Sequence, residues 1–151
     1  MTERAFLIVK PDGVQRGLAG EIVSRFEKKG LRIVGLKMVR ISQEQAAHQY
    51  AVHKGKPFYD SLVKFMTSGP SIAMVLEGTN AITLARKLMG ETGPLQSTPG
   101  TIRGDFAVDI QFNLVHGSDS AESFAHEMPI YFSKAELFDY DLSLKDWLCH
   151  S

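Results

Sequence analysis

Apolar positions along this chain come in short runs whose period switches repeatedly. Ala5 to Val9 (AFLIV) is continuously apolar and gives way to Lys10 and then Pro11-Asp12-Gly13, which predicts a short strand buried on both faces and closed by a turn. From Gly20 to Lys29 the period becomes helical: Ile22, Val23 and Phe26 share a face, basic residues fill the last turn, and Gly30 supplies a stop. Leu31 to Ile41 is rich in β-formers and reads as a second strand. Ser42 opens another helix, with Gln45 three residues on in the pattern of a capping box. Pro57 predicts the start of a second short helix, with Phe58, Leu62, Phe65 and Met66 along its apolar side. Ser71 to Leu76 is a third strand, and a helix over Asn80–Met89 ends at Gly90. Glu91 to Asp105, rich in Gly, Pro and Thr, reads as an unusually long loop of the kind that carries function. Asn113 to His116 is a fourth strand, and Ser120 is a cap for the last helix. Pro129 falls inside that helix and predicts a kink or tightening at Met128–Pro129.

With the helical pair after the second strand set aside, the order is βαββαβ. The expected fold is therefore α+β: a ferredoxin-like antiparallel sheet with helices on its faces and a helical hairpin inserted between strands two and three. No repeat, linker or low-complexity tract interrupts it, so residues 1–151 read as one domain. Such sheets host many unrelated activities, and function must be argued from the site.

Composition narrows the classes. With 151 residues, 44% of them hydrophobic, the chain can bury its own core. Lys plus Arg and Asp plus Glu number 17 each, so no overall field draws nucleic acid or an anionic membrane, and any anion site must be a local cluster. A single cysteine, Cys149, allows neither an internal disulfide nor a cysteine-based zinc site. The first apolar run is too short for a signal segment, and no run is long enough to span a bilayer, so the expected location is cytoplasmic.

Of the five histidines, His116 stands out. In "NLVHGSDS" it sits where a strand stops and a polar turn begins, with Gly117 to let a substrate approach and the start of a helix just beyond. An imidazole there suits either a nucleophile or a hydrogen-bonded structural role, and the residues alone leave both open. His48 and His53 are five apart, off any common helix face, and read as solvent-exposed. His126 and His150 have no evident partner in the sequence. Lys10, Arg86 and Arg103 lie beside polar loops and make a weak case for phosphate binding on their own. Neither GxxxxGK[ST] nor GxGxxG occurs. An RNA-recognition module fails on the aromatic signature, since Asp105 stands in "RGDFAVDI" where an aromatic should be.

Taken together, "VKPDGVQRGLAGEI", "SGPSIAMVLEG", "MGET", "PGTIRGDF" and "NLVHGSDS" resemble the nucleoside diphosphate kinase family, in its motif order and over nearly the whole chain. The resemblance implies transfer of the γ-phosphate of ATP or another nucleoside triphosphate to a nucleoside diphosphate, by a ping-pong route through a phosphohistidine. His116 matches the nucleophile, attacking through Nδ1, and Glu127 the acid that orients its ring. Arg86, Thr92 and Arg103 match the groups that hold the β- and γ-phosphates. Tyr50 matches a phenol near the phosphoryl in transit, and Ser118 a hydroxyl bonded to the orienting glutamate. Lys10 and Asn113 match groups that bond the ribose hydroxyls and, for Lys10, the phosphate. Phe58 matches the aromatic on which the base stacks, with Ile110 on its other face and Leu62 nearby. Mg2+ is implied as the cofactor, held chiefly by phosphate and water, with Asp119 as a ligand through water. A homo-oligomer is implied as well, a hexamer in preference to a tetramer.

The chain departs from the family pattern at Gln111-Phe112, where Gly-Arg is common, at Pro129, and in the tail "DWLCHS". The alternative to an enzyme is a catalytically silent regulatory or nucleotide-binding protein on the same fold. Its mark would be loss of His116 or of the arginines.

Overall fold

The computed structural model describes residues 2–149; His150 lies outside the described residues. Strand β1 (Thr2–Val9) is followed by a short helix α1 (Pro11–Gln15), helix α2 (Ala19–Lys28) and strand β2 (Arg32–Arg40). Helices α3 (Gln43–Gln49) and α4 (Tyr59–Met66), joined through a 3-10 turn at Ala51–His53, form the inserted pair. Then come β3 (Pro70–Thr79), α5 (Ala81–Met89), α6 (Ile102–Phe106), β4 (Val115–Gly117) and α7 (Ala121–Tyr131). The sheet has four strands in the order β2-β3-β1-β4, every neighbour antiparallel. That is the expected α+β ferredoxin-like arrangement, with its hairpin insertion.

Alternation along β1 divides the core. Ala5, Leu7 and Val9 face one layer, packed with Ile22 and Phe26 of α2 and Ala81, Ala85 and Met89 of α5. Phe6 and Ile8 face the other, packed with Ala46 of α3, Val63 and Met66 of α4, and Tyr131 of α7. A strand covered on both faces reads as a continuous apolar run, which is why AFLIV was legible. Among the described residues no helix is long and apolar enough to cross a membrane.

Several local expectations are corrected. Pro11-Asp12-Gly13 is the first part of helix α1 rather than a turn, because proline is suited to a first helical position. Pro57 lies before α4, which starts at Tyr59 after Phe58. The long loop ends early, because Thr101 accepts the Gly104 N–H (2.9 Å) and starts α6 within the segment expected to be irregular. The helix expected to kink or tighten at Met128–Pro129 is continuous through Pro129 to Tyr131. The proline sits in the last turn, where a missing N–H costs only the bond to the Ala125 carbonyl, and Phe132 N–H still reaches Met128 O at 2.9 Å. The capping box at Ser42 and Gln45 forms as expected.

Candidate active site

β4 pairs with the C-terminal end of β1, and the register Ile8↔His116 puts His116 on the face shared with α3, α4 and α7. Gly117 lies on the opposite face, beside Leu7. A Cβ there would meet Met89 Sδ at 2.6 Å, so glycine lets α5 pack close against β4. Entry into β4 is strained: Leu114 has φ +77°, and Val115 N–H bonds back to Asn113 O at 2.9 Å in a γ-turn. A leucine in that conformation costs about 1–3 kcal/mol. The surroundings hold it from three sides. Its side chain is fully buried, its N–H donates to Asp12 Oδ2 (3.0 Å), and its carbonyl accepts Lys10 N–H (2.9 Å).

His116 is partly exposed at the wall of a cleft of about 680 Å³. Its Nε2 is hydrogen-bonded to Glu127 Oε1 on α7. An ionised carboxylate only accepts, so Nε2 carries the proton and Nδ1 is left with a free lone pair. Glu127 thus lies on the His116 side despite Pro129. Gln49 of α3 also donates to Glu127 Oε1 (3.4 Å) and accepts from Tyr131 Oη (2.5 Å). Gln49 was invisible in the sequence: a glutamine near the end of a polar helix carries no signal of a buried partner. Ser118 was expected on Glu127, but its buried Oγ has no hydrogen-bond partner among the described residues. It does not line the cleft; the residue after a buried Gly117 is held by its backbone instead, with Ser118 N–H on Phe6 O at 3.0 Å.

Tyr50 is buried with its ring edge-on to His116, centroids 6.0 Å apart. Burial, with lesser contributions from Tyr131 and Glu127, pushes its phenol far above the ordinary range, so it stays a neutral donor.

At the cationic end Lys10 is buried, with Nζ donating to Asn113 Oδ1 (2.7 Å) and Gln111 O (2.9 Å) and lying 5.5 Å from the centre of the Phe65 ring. Burial lowers its ammonium to about 8, against the opposing pull of Asp12. Arg103 is buried and fixed by backbone carbonyls: Nε to Asn113 O (3.2 Å), Nη1 to Gly90 O (3.1 Å) and Nη2 to Val115 O (2.6 Å). Burial and then the nearby Arg86 charge bring it down to about 10. Arg86 reaches Gly117 O at 3.0 Å, and Asn113 Nδ2 reaches Thr92 O at 3.3 Å.

The opposite end is apolar and open. Phe58 and Ile110 are exposed, with Leu62 between solvent and core. His53, expected in solvent, is half-buried and lines the cleft, packed between Tyr50 (6.4 Å) and Phe58 (5.2 Å). The 3-10 turn, which the helical period did not reveal, swings it inward. Gln111 also lines this end, held by Ser61 Oγ at 3.1 Å, and Phe112 packs edge-on against Phe65 at 4.8 Å.

One cleft therefore gathers Lys10, Tyr50, Phe58, Leu62, Arg86, Thr92, Arg103, Ile110, Asn113, His116, Asp119 and Glu127. Asp119 accepts from Ser123 Oγ (2.6 Å), a bond that holds its carboxyl below the ordinary range. Among the described residues no three His, Cys, Asp or Glu side chains stand together as a metal cage. The arrangement can put fixed positive charge around a polyphosphate and an unprotonated ring nitrogen beside it.

A family model described as nucleoside diphosphate kinase matches residues 3–137. A nucleoside diphosphate kinase of Desulforamulus reducens is 56% identical over 146 residues, 97% of this chain and 98% of that relative. The structure of a halophilic nucleoside diphosphate kinase from Halobacterium salinarum in complex with CDP superposes with a TM-score of 0.94 at 50% identity, covering 99% of each chain. A family protein from Babesia bovis gives 0.94 at 45% identity, covering 97% of this chain and 99% of that one.

Proposed function

Since this chain belongs to the nucleoside diphosphate kinase family and is a nucleotide phosphotransferase, we propose that His116 carries the phosphoryl group between its two substrates. The observation that carries this reading is the bond from His116 Nε2 to Glu127, in a cleft that also holds Lys10, Arg86 and Arg103. Nδ1 of His116 attacks the γ-phosphorus of a nucleoside triphosphate. The Nδ1–P bond forms as the bond from phosphorus to the β,γ-bridging oxygen breaks, and the diphosphate leaves with that electron pair. Nε2–H stays on Glu127, which offsets the positive charge the ring acquires. A second diphosphate then takes the group by the reverse step. Arg103, Arg86 and Thr92 hold the phosphate oxygens on which negative charge is spread. Lys10 and Asn113 bind ribose and phosphate, and the neutral phenol of Tyr50 stands by the group in transit. Phe58, Ile110 and Leu62 take the faces of the base.

Mg2+ belongs to the proposal. The cleft fits an ion held mainly by phosphate and water, because among the described residues Asp119 is the only carboxylate lining it apart from Glu127, which is committed to His116. Bound there, Mg2+ would neutralise polyphosphate charge. A homo-oligomer, a hexamer in preference to a tetramer, belongs to the proposal too; Leu36 and Met38, 49% and 62% exposed on the edge strand β2, support an interface between copies. A cytoplasmic location suits the free thiol of Cys149.

The test is to incubate the pure protein with γ-labelled ATP, isolate it, and add GDP. Label should appear on His116 and pass to GTP, and double-reciprocal plots should be parallel. Label reaching GTP without ever resting on the protein would overturn the reading.

A further inference from the structure

Where α3 and α7 meet at the protein surface, His48 and His126 are in contact. Their ring centroids are 5.0 Å apart and their planes meet at 65°. Both residues are exposed, and neither lines the phosphoryl cleft. His126 Nε2 lies 3.0 Å from the His48 carbonyl oxygen. A carbonyl can only accept, so Nε2 bears the proton and Nδ1 of His126 keeps its lone pair.

We propose that His48 and His126 form a two-imidazole site for a divalent transition-metal ion of the copper, nickel and zinc class, tying α3 to α7.

The ring spacing fits such an ion. With metal–nitrogen bonds of about 2.0–2.1 Å, each ring centroid lies about 3.2 Å from the metal. Two rings at angles between square and tetrahedral then have centroids about 4.5–5.2 Å apart. The tautomer also fits. A metal-bound histidine ordinarily donates its second ring N–H to a carbonyl or carboxylate, which fixes the ring and raises the basicity of the ligating nitrogen. His126 already makes that bond, and to the backbone of the other proposed ligand. Exposure gives the ion an open path. No third His, Cys, Asp or Glu completes a cage among the described residues, so water fills the remaining positions. Imidazole favours copper, nickel and zinc over magnesium, so this site does not draw on the ion that accompanies nucleotide.

The site adjoins in sequence the residues that hold His116. His126 precedes Glu127, and His48 precedes Gln49, whose side chain donates to Glu127 at 3.4 Å. A bound ion would therefore fix the two helices whose next residues aim His116. The assignment does not depend on His116 being the phosphoryl carrier.

The experiment uses untagged, nucleotide-free protein with Cu2+ for spectroscopy and Ni2+ or Mg2+ for melting. Electron paramagnetic resonance should report one copper coupled to two imidazole nitrogens, and Ni2+ should raise the melting temperature while Mg2+ does not. His48→Gln and His126→Asn should each weaken copper binding by about tenfold or more and remove the nickel shift, with phosphotransfer in Mg2+ unchanged. A single-nitrogen signature would overturn the proposal, leaving the pair as edge-on ring packing alone. So would copper binding in His48→Gln equal to wild type, which would place the ion at another histidine, or a Mg2+ shift as large as that of Ni2+.

Discussion

At one end of the cleft Lys10, Arg103 and Asn113 are 7%, 5% and 3% exposed and already bonded to one another's chain segments; at the other, Phe58 and Ile110 are 46% and 65% exposed. The cationic end resembles a core. Its groups are dehydrated, each has several fixed partners, and a low local dielectric strengthens their attraction for an anion. The apolar end resembles a surface, presenting faces rather than hydrogen-bonding edges. The contrast assigns work: the part of a nucleotide that is the same in every substrate meets preset geometry, and the part that differs meets adaptable faces.

The comparison breaks most completely at His116, which sits at the preset end. His116→Ala should abolish phosphotransfer and any labelled protein intermediate, while nucleotide still binds through the flanking groups. Labelled phosphate on that variant with normal turnover would remove the assignment.

Next in size is the pH response of Lys10. Its folded value is lowered to about 8 against an ordinary 10.5, so its charge, and nucleotide affinity with it, should fall as pH rises through about 8. Stability should move the other way. Between about 8 and 10.5 the unfolded chain holds the proton that the folded chain has released, so this group's contribution to stability grows with pH across that window and is constant above it. Nucleotide affinity and denaturation midpoints across pH 7–11 check both directions, and Lys10→Met should flatten both. Parallel falls in affinity and stability that persist in Lys10→Met would rule this out.

At the adaptable end Phe58→Ala should cost roughly 1–3 kcal/mol of base stacking, and nearly the same for ADP, GDP, CDP and UDP. A loss confined to one base would show that an edge is being read, with Gln111 the first side chain to examine. Smallest in its effect on rate is Pro129→Ser. It should restore a donor to the Ala125 carbonyl and raise stability by about 1–3 kcal/mol, leaving turnover unchanged because Glu127 is already aimed. A large change in rate would mean that the proline sets the aim of Glu127.

The two ends also differ in how far the sequence disclosed them. Strand β1, the capping box at Ser42 and the helix at Ser120 were readable because each depends on local pattern. His116 and the cations were readable as a group only through their motifs; spacing alone left His116 evenly between structure and catalysis. What escaped depends on distant packing. Gln49 acquires its role from Glu127, 78 residues away. Ser118 is held by its backbone, paired to Phe6, while its buried Oγ finds no partner among the described residues. His53 is turned inward by a short 3-10 segment with no periodic signature. Leu114 in a positive-φ turn runs against its own preference, and no sequence rule would have placed it there.

The short strand β4 joins distant parts of the chain. Leu114 N–H bonds to Asp12 across 102 residues, and Lys10 to Asn113 across 103. Closing so long a loop costs chain entropy before any contact rewards it, whereas the helices and the β2–β3 pairing close shorter ones. His116 should therefore gain its setting late in folding, when the front of the sheet receives its last strand. In refolding from denaturant, the helical circular-dichroism signal should return before phosphotransfer does, and a chain stopped before β4 should hold much of its helix yet transfer nothing. Activity in this protein is thus a report that the chain has finished folding, and recovery of both signals in a single phase would show that β4 docks with the rest.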